Sequence, residues 1–373
     1  MKKTLVALAV LGSFAGVASA ATSVTLYGTV DGGYEDWQFK NGLKKHGIGQ
    51  PGDFLKLKNK LQQGGYSESN SKFGIKGQED LGNGLAAIFT LEGRFGADDG
   101  DIASTDRFFH RESTVGLKGS FGEVKIGRAK SQMELALGGI VPGSRVADVD
   151  LYSVAMTRHS NGLFYSYDNA GFSFGADVTT KGGADSNATE STPDSKIGYG
   201  ARLGYAGQVG GGVTLLARAA YQNDGTTVVV AGDTVKNQEW GGLLAAVVPY
   251  ANNALTVGVA YAQGKGEAAD LVAAKFGTDR DRVATKKART LSAVIASTIG
   301  SNDSVYVKYQ QRKGTTAGAT DYNGNVWAAG YAHNLSKRTS VYADAAYATI
   351  KNHDAITEKG KAIGYSVGVA HNF

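Results

Sequence analysis

The chain contains no cysteine. That excludes a disulfide framework, thiolate zinc sites and a cysteine nucleophile. Proline is nearly absent, 4 in 373 residues, so little in the sequence would interrupt a long hydrogen-bonded ladder. Beyond the N-terminus no stretch approaches the ~18 consecutive apolar residues of a membrane-crossing helix. The 6 histidines show no H-E-x-x-H and no other ligand spacing, so neither a metal nor any other cofactor is expected. A basic helix is also missing, so the pI near 9.0 does not imply nucleic-acid binding.

What the chain has in excess is glycine, 53 residues, together with 18 Tyr, 14 Phe and 3 Trp. The glycines keep no three-residue period, which excludes collagen. That many aromatics would not stay solvated in a disordered coil. Glycine and aromatics with little proline suit many strands joined by tight turns.

The first twenty residues read as an address. Lys2 and Lys3 form a positive start, Thr4 to Val17 is uncharged and largely apolar, and Ala18-Ser19-Ala20 is a small-residue cleavage site. This is the pattern of a secretory signal peptide cut after Ala20, too short for a membrane anchor. Residues 21–373 then form the mature domain. Its net charge is +3, because losing Lys2 and Lys3 leaves 37 basic residues against 34 acidic ones.

Period two dominates the rest. In the last segment Ile363, Tyr365, Val367, Val369, His371 and Phe373 share one face, while Gly364, Ser366, Gly368, Ala370 and Asn372 share the other. One face is large and mostly apolar, the other small or polar. A soluble sandwich would turn the apolar face to a core; a membrane barrel would turn it to lipid and line a lumen with the polar face.

Sixteen such segments are expected, starting near residues 22, 68, 85, 107, 122, 158, 172, 197, 213, 240, 255, 291, 305, 325, 340 and 363. Even-numbered segments end in tight polar or glycine turns, such as Gly119-Ser120 and Asp168 to Gly171. Odd-numbered ones lead into long linkers: Phe39 to Gly65, Ser131 to Thr157, Lys181 to Ser195 and Gly264 to Lys287. Short turns at one end and long loops at the other, with an even count, are the asymmetry of an outer-membrane barrel. Pro51, Pro142 and Pro193 fall in the long loops and Pro249 in a turn. Trp37, Trp240 and Trp327 sit toward the long-loop ends, and Phe172, Phe174, Tyr205 and Phe373 toward the short-turn end. That placement matches two interfacial aromatic girdles.

The blocks SVTLYGTVDGG (Ser23 to Gly33), SKFGIKGQEDLGNGLAAIFTLEGRF (Ser71 to Phe95), STVGLKGSFGEVKIGR (Ser113 to Arg128), LSKRTSVYA (Leu335 to Ala343) and VGVAHNF (Val367 to Phe373) resemble the Gram-negative general porins, the beta-proteobacterial and neisserial types above all. The resemblance implies an all-β fold, a 16-stranded antiparallel transmembrane β-barrel with an inward-folded third loop, assembled as a homotrimer. It also implies that Phe373 serves as the outer-membrane assembly signal read by the assembly machinery.

The third loop would be Ser131 to Thr157, carrying Glu134, Asp148 and Asp150 against Arg145. By resemblance the facing wall carries a basic ladder. Lys72 stands where many relatives have Arg, Arg111 and Arg158 match ladder positions, and Arg94 and Arg128 are neighbours. Arg111 shares parity with Val115 and Leu117, and Arg128 with Val124 and Ile126. Each therefore needs a bulge or a strand end to reach the lumen, or else sits on a solvated rim. Asp31 and Glu92 fall on the polar face.

Opposed charges across a narrow aqueous gap bias ion passage without doing chemistry. The implied function is passive diffusion of small hydrophilic solutes and ions with modest anion preference. The rivals are a substrate-selective porin and a non-conducting adhesin or receptor barrel.

Motifs that suggest other chemistry lack their context. Gly171-Phe-Ser-Phe-Gly175 and Gly364-Tyr-Ser-Val-Gly368 fit G-x-S-x-G, but both serines lie inside alternating segments with no helix following. Gly47-Ile-Gly-Gln-Pro-Gly52 follows no hydrophobic strand. Asp98-Asp99-Gly100-Asp101 reads as a solvated acidic loop, with weak Ca²⁺ binding the alternative. The lysines between Phe39 and Gln63 would form an anion-attracting vestibule, or contact lipopolysaccharide and solvent.

Overall fold

The computed structural model describes residues 22–40, 61–62, 71–97, 100, 102, 107–138, 158–180, 196–230, 232–269, 282–316, 321–351 and 360–373. The leader, most of the lysine-rich first loop, Asp148, Asp150 and the acidic side chains of the 98–101 loop lie outside them.

Sixteen long strands follow one another. The first eight are β1 (Ser23–Lys40), β2 (Lys72–Gly82), β3 (Leu85–Arg94), β4 (Glu112–Gly119), β5 (Gly122–Lys130), β6 (Arg158–Asn169), β7 (Phe172–Thr179) and β8 (Gly198–Gly210). The rest are β9 (Val213–Val230), β10 (Asp233–Tyr250), β11 (Asn253–Ala269), β12 (Arg282–Ile299), β13 (Asp303–Thr316), β14 (Asp321–Asn334), β15 (Thr339–Lys351) and β16 (Gly360–Asn372). A two-residue strand, Leu61–Gln62, pairs with Gly33 and Tyr34 of β1. Among the described residues one short helix, α1 (Gln132–Leu137), follows β5.

Each strand pairs antiparallel with its neighbours in sequence, and β1 pairs with both β2 and β16, so the sheet is closed. The seam runs from Thr29 opposite Asn372 to Lys40 opposite Lys361. Closure leaves no open edge, which is what lets a sheet satisfy its backbone groups inside a bilayer.

The two faces are inverted relative to a soluble protein. Leu26 is 61% exposed, Leu203 64% and Trp327 52%, whereas Asp31 is 0% exposed and Gln222 2%. Most large apolar side chains point outward, while the polar ones and many alanines point inward. Paired rings mark the outer surface at two levels: Trp240 with Tyr261 at 5.5 Å, and Phe172 with Tyr205 at 4.9 Å. On β10, outward Trp240 and Tyr250 are separated by roughly 25 Å across the tilted strand, the height of an apolar band.

Expected and observed boundaries differ in places. Segments 2 and 4 start at Lys72 and Glu112 rather than near residues 68 and 107. Before β4 the chain turns at Phe108 and Phe109, whose rings pack on Phe73 at 5.5 and 6.5 Å, and that cluster ends the ladder. The linker expected over Gly264 to Lys287 is shorter, because β11 and β12 go on pairing past a bulge as far as Ala269 and Arg282. Pro249 lies not in the turn but in the next-to-last rung of β10, opposite Ala254. A missing N–H is tolerated so close to a strand end. The hairpin from β6 to β7 turns on Ala170 (φ 50°) and Gly171 (φ 86°), the two left-handed residues of a type I′ turn.

Candidate functional site

The ladder register places Lys72 opposite Thr29 and Arg94, both on the inward-facing parity. Next along the wall, Arg111 precedes the first residue of β4. It reaches inward because the strand has not yet begun: its backbone N–H donates to the Glu92 carbonyl and its guanidinium pairs with the Glu92 carboxylate. Arg128 reaches inward by the other route. The β5–β6 register slips between Gly127 and Ala129, and Gly127 takes φ 127°, so the bulge re-aims the following side chain. Its Nε donates to the His110 carbonyl at 2.6 Å and a terminal nitrogen to Ser160 Oγ at 2.8 Å. Arg158 Nε donates to the Arg111 carbonyl at 2.9 Å. Strand end and bulge are thus the devices the parity of Arg111 and Arg128 demands. All five cations sit at the long-loop ends of neighbouring strands β2 to β6.

The third loop begins inside the barrel. Ser131 caps α1 by accepting from the Glu134 N–H at 3.2 Å. Met133, Ala136 and Leu137 then pack on Ala220, Leu243, Ala260 and Ala262, inward-facing residues of β9 to β11. This apolar seat on the lumen wall is what the helix buries. Glu134 is buried and turns back to Lys130 at 3.4 Å, a cation outside the expected ladder.

A polar clamp holds the helix start. Gln222 Oε1 accepts from the Met133 N–H at 3.4 Å, and Gln222 Nε2 donates to Asp224 at 2.8 Å. Behind it His159 lies fully buried between Asp177 (2.7 Å) and Asp224 (3.1 Å). A buried acceptor removed from a donor costs about 1–3 kcal/mol. Gln222→Leu is therefore expected to speed amide exchange at Met133 about tenfold or more. Unchanged protection at Met133 would count against the clamp.

The lumen wall also shows why tyrosines occupy its polar face. Tyr27, Tyr306 and Tyr342 each lie directly opposite a glycine (Gly74, Gly330 and Gly368), with the ring filling the space a Cβ would take. Each hydroxyl reaches a carboxylate one strand further on: Tyr27 to Glu92 at 3.0 Å, Tyr342 to Asp31 at 2.8 Å, and Tyr306 to Asp344. Part of the glycine excess therefore makes room for flat aromatics.

Some inward-facing groups escaped the sequence reading: Lys130, the His159 cluster, Arg202, and the ion-paired set Lys125, Glu112 and Glu123. Arg218, Gln222, Lys308 and Arg312 alternate with the large apolar residues of their segments, and that parity is the signal that finds them. The two G-x-S-x-G serines sit within β7 and β16, with no strand-to-helix turn after either. Asp98, Asp99 and Asp101 fall outside the described residues, and among those described no group of acids and histidines could hold a metal.

Comparison with known proteins agrees with this geometry. The chain is 31% identical over 406 residues to an outer membrane porin protein of Bordetella pertussis, covering 100% of both chains. It is 31% identical over 383 residues to outer membrane porin protein 32 of Delftia acidovorans, covering 99% of this chain and 95% of that protein. Among solved structures, an anion-selective porin from Comamonas acidovorans shares the fold with a TM-score of 0.60 at 24% identity, covering 94% of this chain and 100% of that one. The family model described as Gram-negative porin matches residues 7–354, and a closed sixteen-stranded barrel with an apolar outside is what that family builds: the chain belongs to the Gram-negative porins of the outer membrane.

Proposed function

We propose that the barrel is a water-filled channel for passive diffusion of small hydrophilic solutes and ions, with a modest preference for anions. The observation that carries this reading is the row of inward-facing cations, Lys72, Arg94, Arg111, Arg128 and Arg158, on five neighbouring strands. In this reading the row and the third loop, with Glu134, Asp148 and Asp150, form the constriction. The chain works as a homotrimer in outer-membrane lipid and lipopolysaccharide, after a signal peptide is removed at Ala20 and the assembly machinery has inserted it.

The preference is modest for two reasons. Arg111 is partly neutralised by Glu92, and two unit charges ~7 Å apart in water interact by only ~0.6 kcal/mol. Screening over ~8 Å at physiological salt weakens it further. In a salt gradient across a planar bilayer, wild type is expected to give a zero-current potential of anion-selective sign, larger at low salt. Lys72→Glu combined with Arg158→Glu should move that potential toward cations. A cation-selective wild type, or an unmoved double variant, would defeat the assignment. An adhesin or receptor barrel would give no ohmic steps at all.

A further inference from the structure

We propose that the outer surface of β12 to β16, beyond the aromatic side chains at the long-loop end, is a docking strip for the phosphorylated sugar headgroup of lipopolysaccharide. The proposal deepens the placement in outer-membrane lipid given above, and it does not depend on conduction.

The ladder register fixes the strip. Directly opposed residues share a face of the sheet, and one outward row runs through Trp240, Gln263, Arg289, Lys313, Asn323 and Lys351 on β10 to β15. The next row toward the membrane centre aligns Gln311, Asn325, Thr349 and Lys361. Below it come Tyr309, Trp327, Tyr347 and Ile363. Along its own strand each cation thus stands two or four residues beyond an outward Leu291, Tyr309, Tyr347 or Ile363, roughly 5–10 Å further from the membrane centre on a tilted strand. Long loops of an outer-membrane barrel face the cell exterior, so this is the level of outer-leaflet headgroups.

Arg289, Lys313 and Lys351 are exposed and Lys361 is half-buried. Arg289 and Lys313 lie directly opposite one another, a pairing of like charges that a ladder disfavours. Among the described residues none of the four cations makes an ion pair, whereas Lys125 on the inner face is held by Glu112 and Glu123. Asp321, on the same outward face, lies one step beyond Asn323 and accepts from Thr315 Oγ1 at 2.7 Å. The positive charge is therefore left for an anion from outside the chain. From Arg289 to Lys351 the row crosses three strand spacings, about 14 Å, which is room for more than one phosphate.

The band beneath is made of hydrogen-bonding side chains. Tyr309 donates its hydroxyl to Asn325 Oδ1 at 2.8 Å, and Gln311 Nε2 donates to the same oxygen at 3.1 Å. The Tyr309 and Trp327 rings pack at 4.6 Å below them. Outward from the membrane centre the surface passes from rings to amides and then to cations. Lipopolysaccharide presents acyl chains, sugars and phosphates to it in a matching order; a phospholipid has one phosphate and no sugar, and fills only part. Elsewhere on the barrel the equivalent positions are neutral: two residues beyond the outward Leu163, Val178 and Tyr221 stand Asn161, Thr180 and Asn223.

The test combines Arg289→Gln, Lys313→Gln and Lys351→Gln. All three side chains lie outside the lumen, so conductance should not change. The folded barrel in neutral detergent is titrated with purified lipopolysaccharide at low salt, with bound lipid read by native mass spectrometry. The triple variant should raise the half-saturating concentration about tenfold or more. Lipopolysaccharide stripped of its phosphates should bind wild type as weakly as the intact lipid binds the variant. A second triple variant, Arg289→Lys with Lys313→Arg and Lys351→Arg, keeps the charges and should bind within about twofold of wild type. Equal affinity in wild type and the glutamine variant would overturn the strip, as would equal binding of intact and dephosphorylated lipid. Phosphatidylglycerol micelles bound as tightly as lipopolysaccharide would overturn the assignment to a glycolipid. Loss of the oligomer in the glutamine variant, with lipid affinity unchanged, would give the face to a second copy of the chain instead. The titration reads no current, so a barrel that proves closed would defeat the channel reading and leave this one standing.

Discussion

Deleting Phe373 should lower the folded protein recovered from the outer membrane by about tenfold or more, with signal-peptide processing unchanged. The reason lies at the seam. Phe373 and Gly28 exchange two backbone hydrogen bonds, each 3.1 Å, as the last rung between β16 and β1. The ring lies on the outward side over Gly28, where any Cβ would collide with it. Losing two hydrogen bonds and a half-covered ring costs roughly 3–5 kcal/mol at the edge where the barrel must close. Gly28→Val separates closure from recognition, because it leaves the terminal sequence intact and displaces the ring. If closure is what matters, both variants lose the heat-modifiable folded band. If the machinery reads the terminal residue, only the deletion does. Normal folded yield from the deletion would sink both ideas.

Removing most of residues 139–157 is expected to raise single-channel conductance about twofold and to admit larger sugars, since conduction follows the open cross-section. The same cut in 181–195 should change little. A point variant reaches the same end by another route. Leu243 is 4% exposed beneath α1, and Leu243→Glu would bury a carboxylate against Met133 and Leu137, a cost of several kcal/mol relieved by lifting the helix. Conductance that rises with Leu243→Glu as with the loop deletion supports a loop that narrows the lumen. Equal effects from both deletions, or none from the first, would remove that role.

Much of the barrel was readable because period two is a backbone property: once one side chain of a strand faces lipid, the alternate ones do too. Thus Ile363 to Phe373, and Val305 to Arg312, could be assigned to faces from the residues alone. Strand ends were less legible. Their extent depends on partners, as where β11 and β12 stay paired past a bulge that no local signal announces. The site divided in the same way. Parity put Glu92 on the polar face and flagged that Arg111 and Arg128 needed an irregularity, but could not say which one, while Lys72 and Arg94 came from the resemblance. Gly127 with φ 127° supplied it for Arg128, and the late start of β4 for Arg111. The clamp of Gln222, His159, Asp177 and Asp224 joins residues 63 and 65 positions apart, and nothing in spacing alone brings them together.

The three tyrosines on glycine have one more consequence, which is mechanical. Tyr306 ties β13 to β15, Tyr342 ties β15 to β1, and Tyr27 ties β1 to β3, each across the intervening strand. Laid end to end these struts form a partial hoop over seven consecutive staves, with the closing seam inside it. A strut that skips a strand ties together two strands that share no ladder hydrogen bond of their own. The join between first and last strand, where a closed sheet would otherwise come apart most readily, therefore carries a side-chain tie in addition to its ladder.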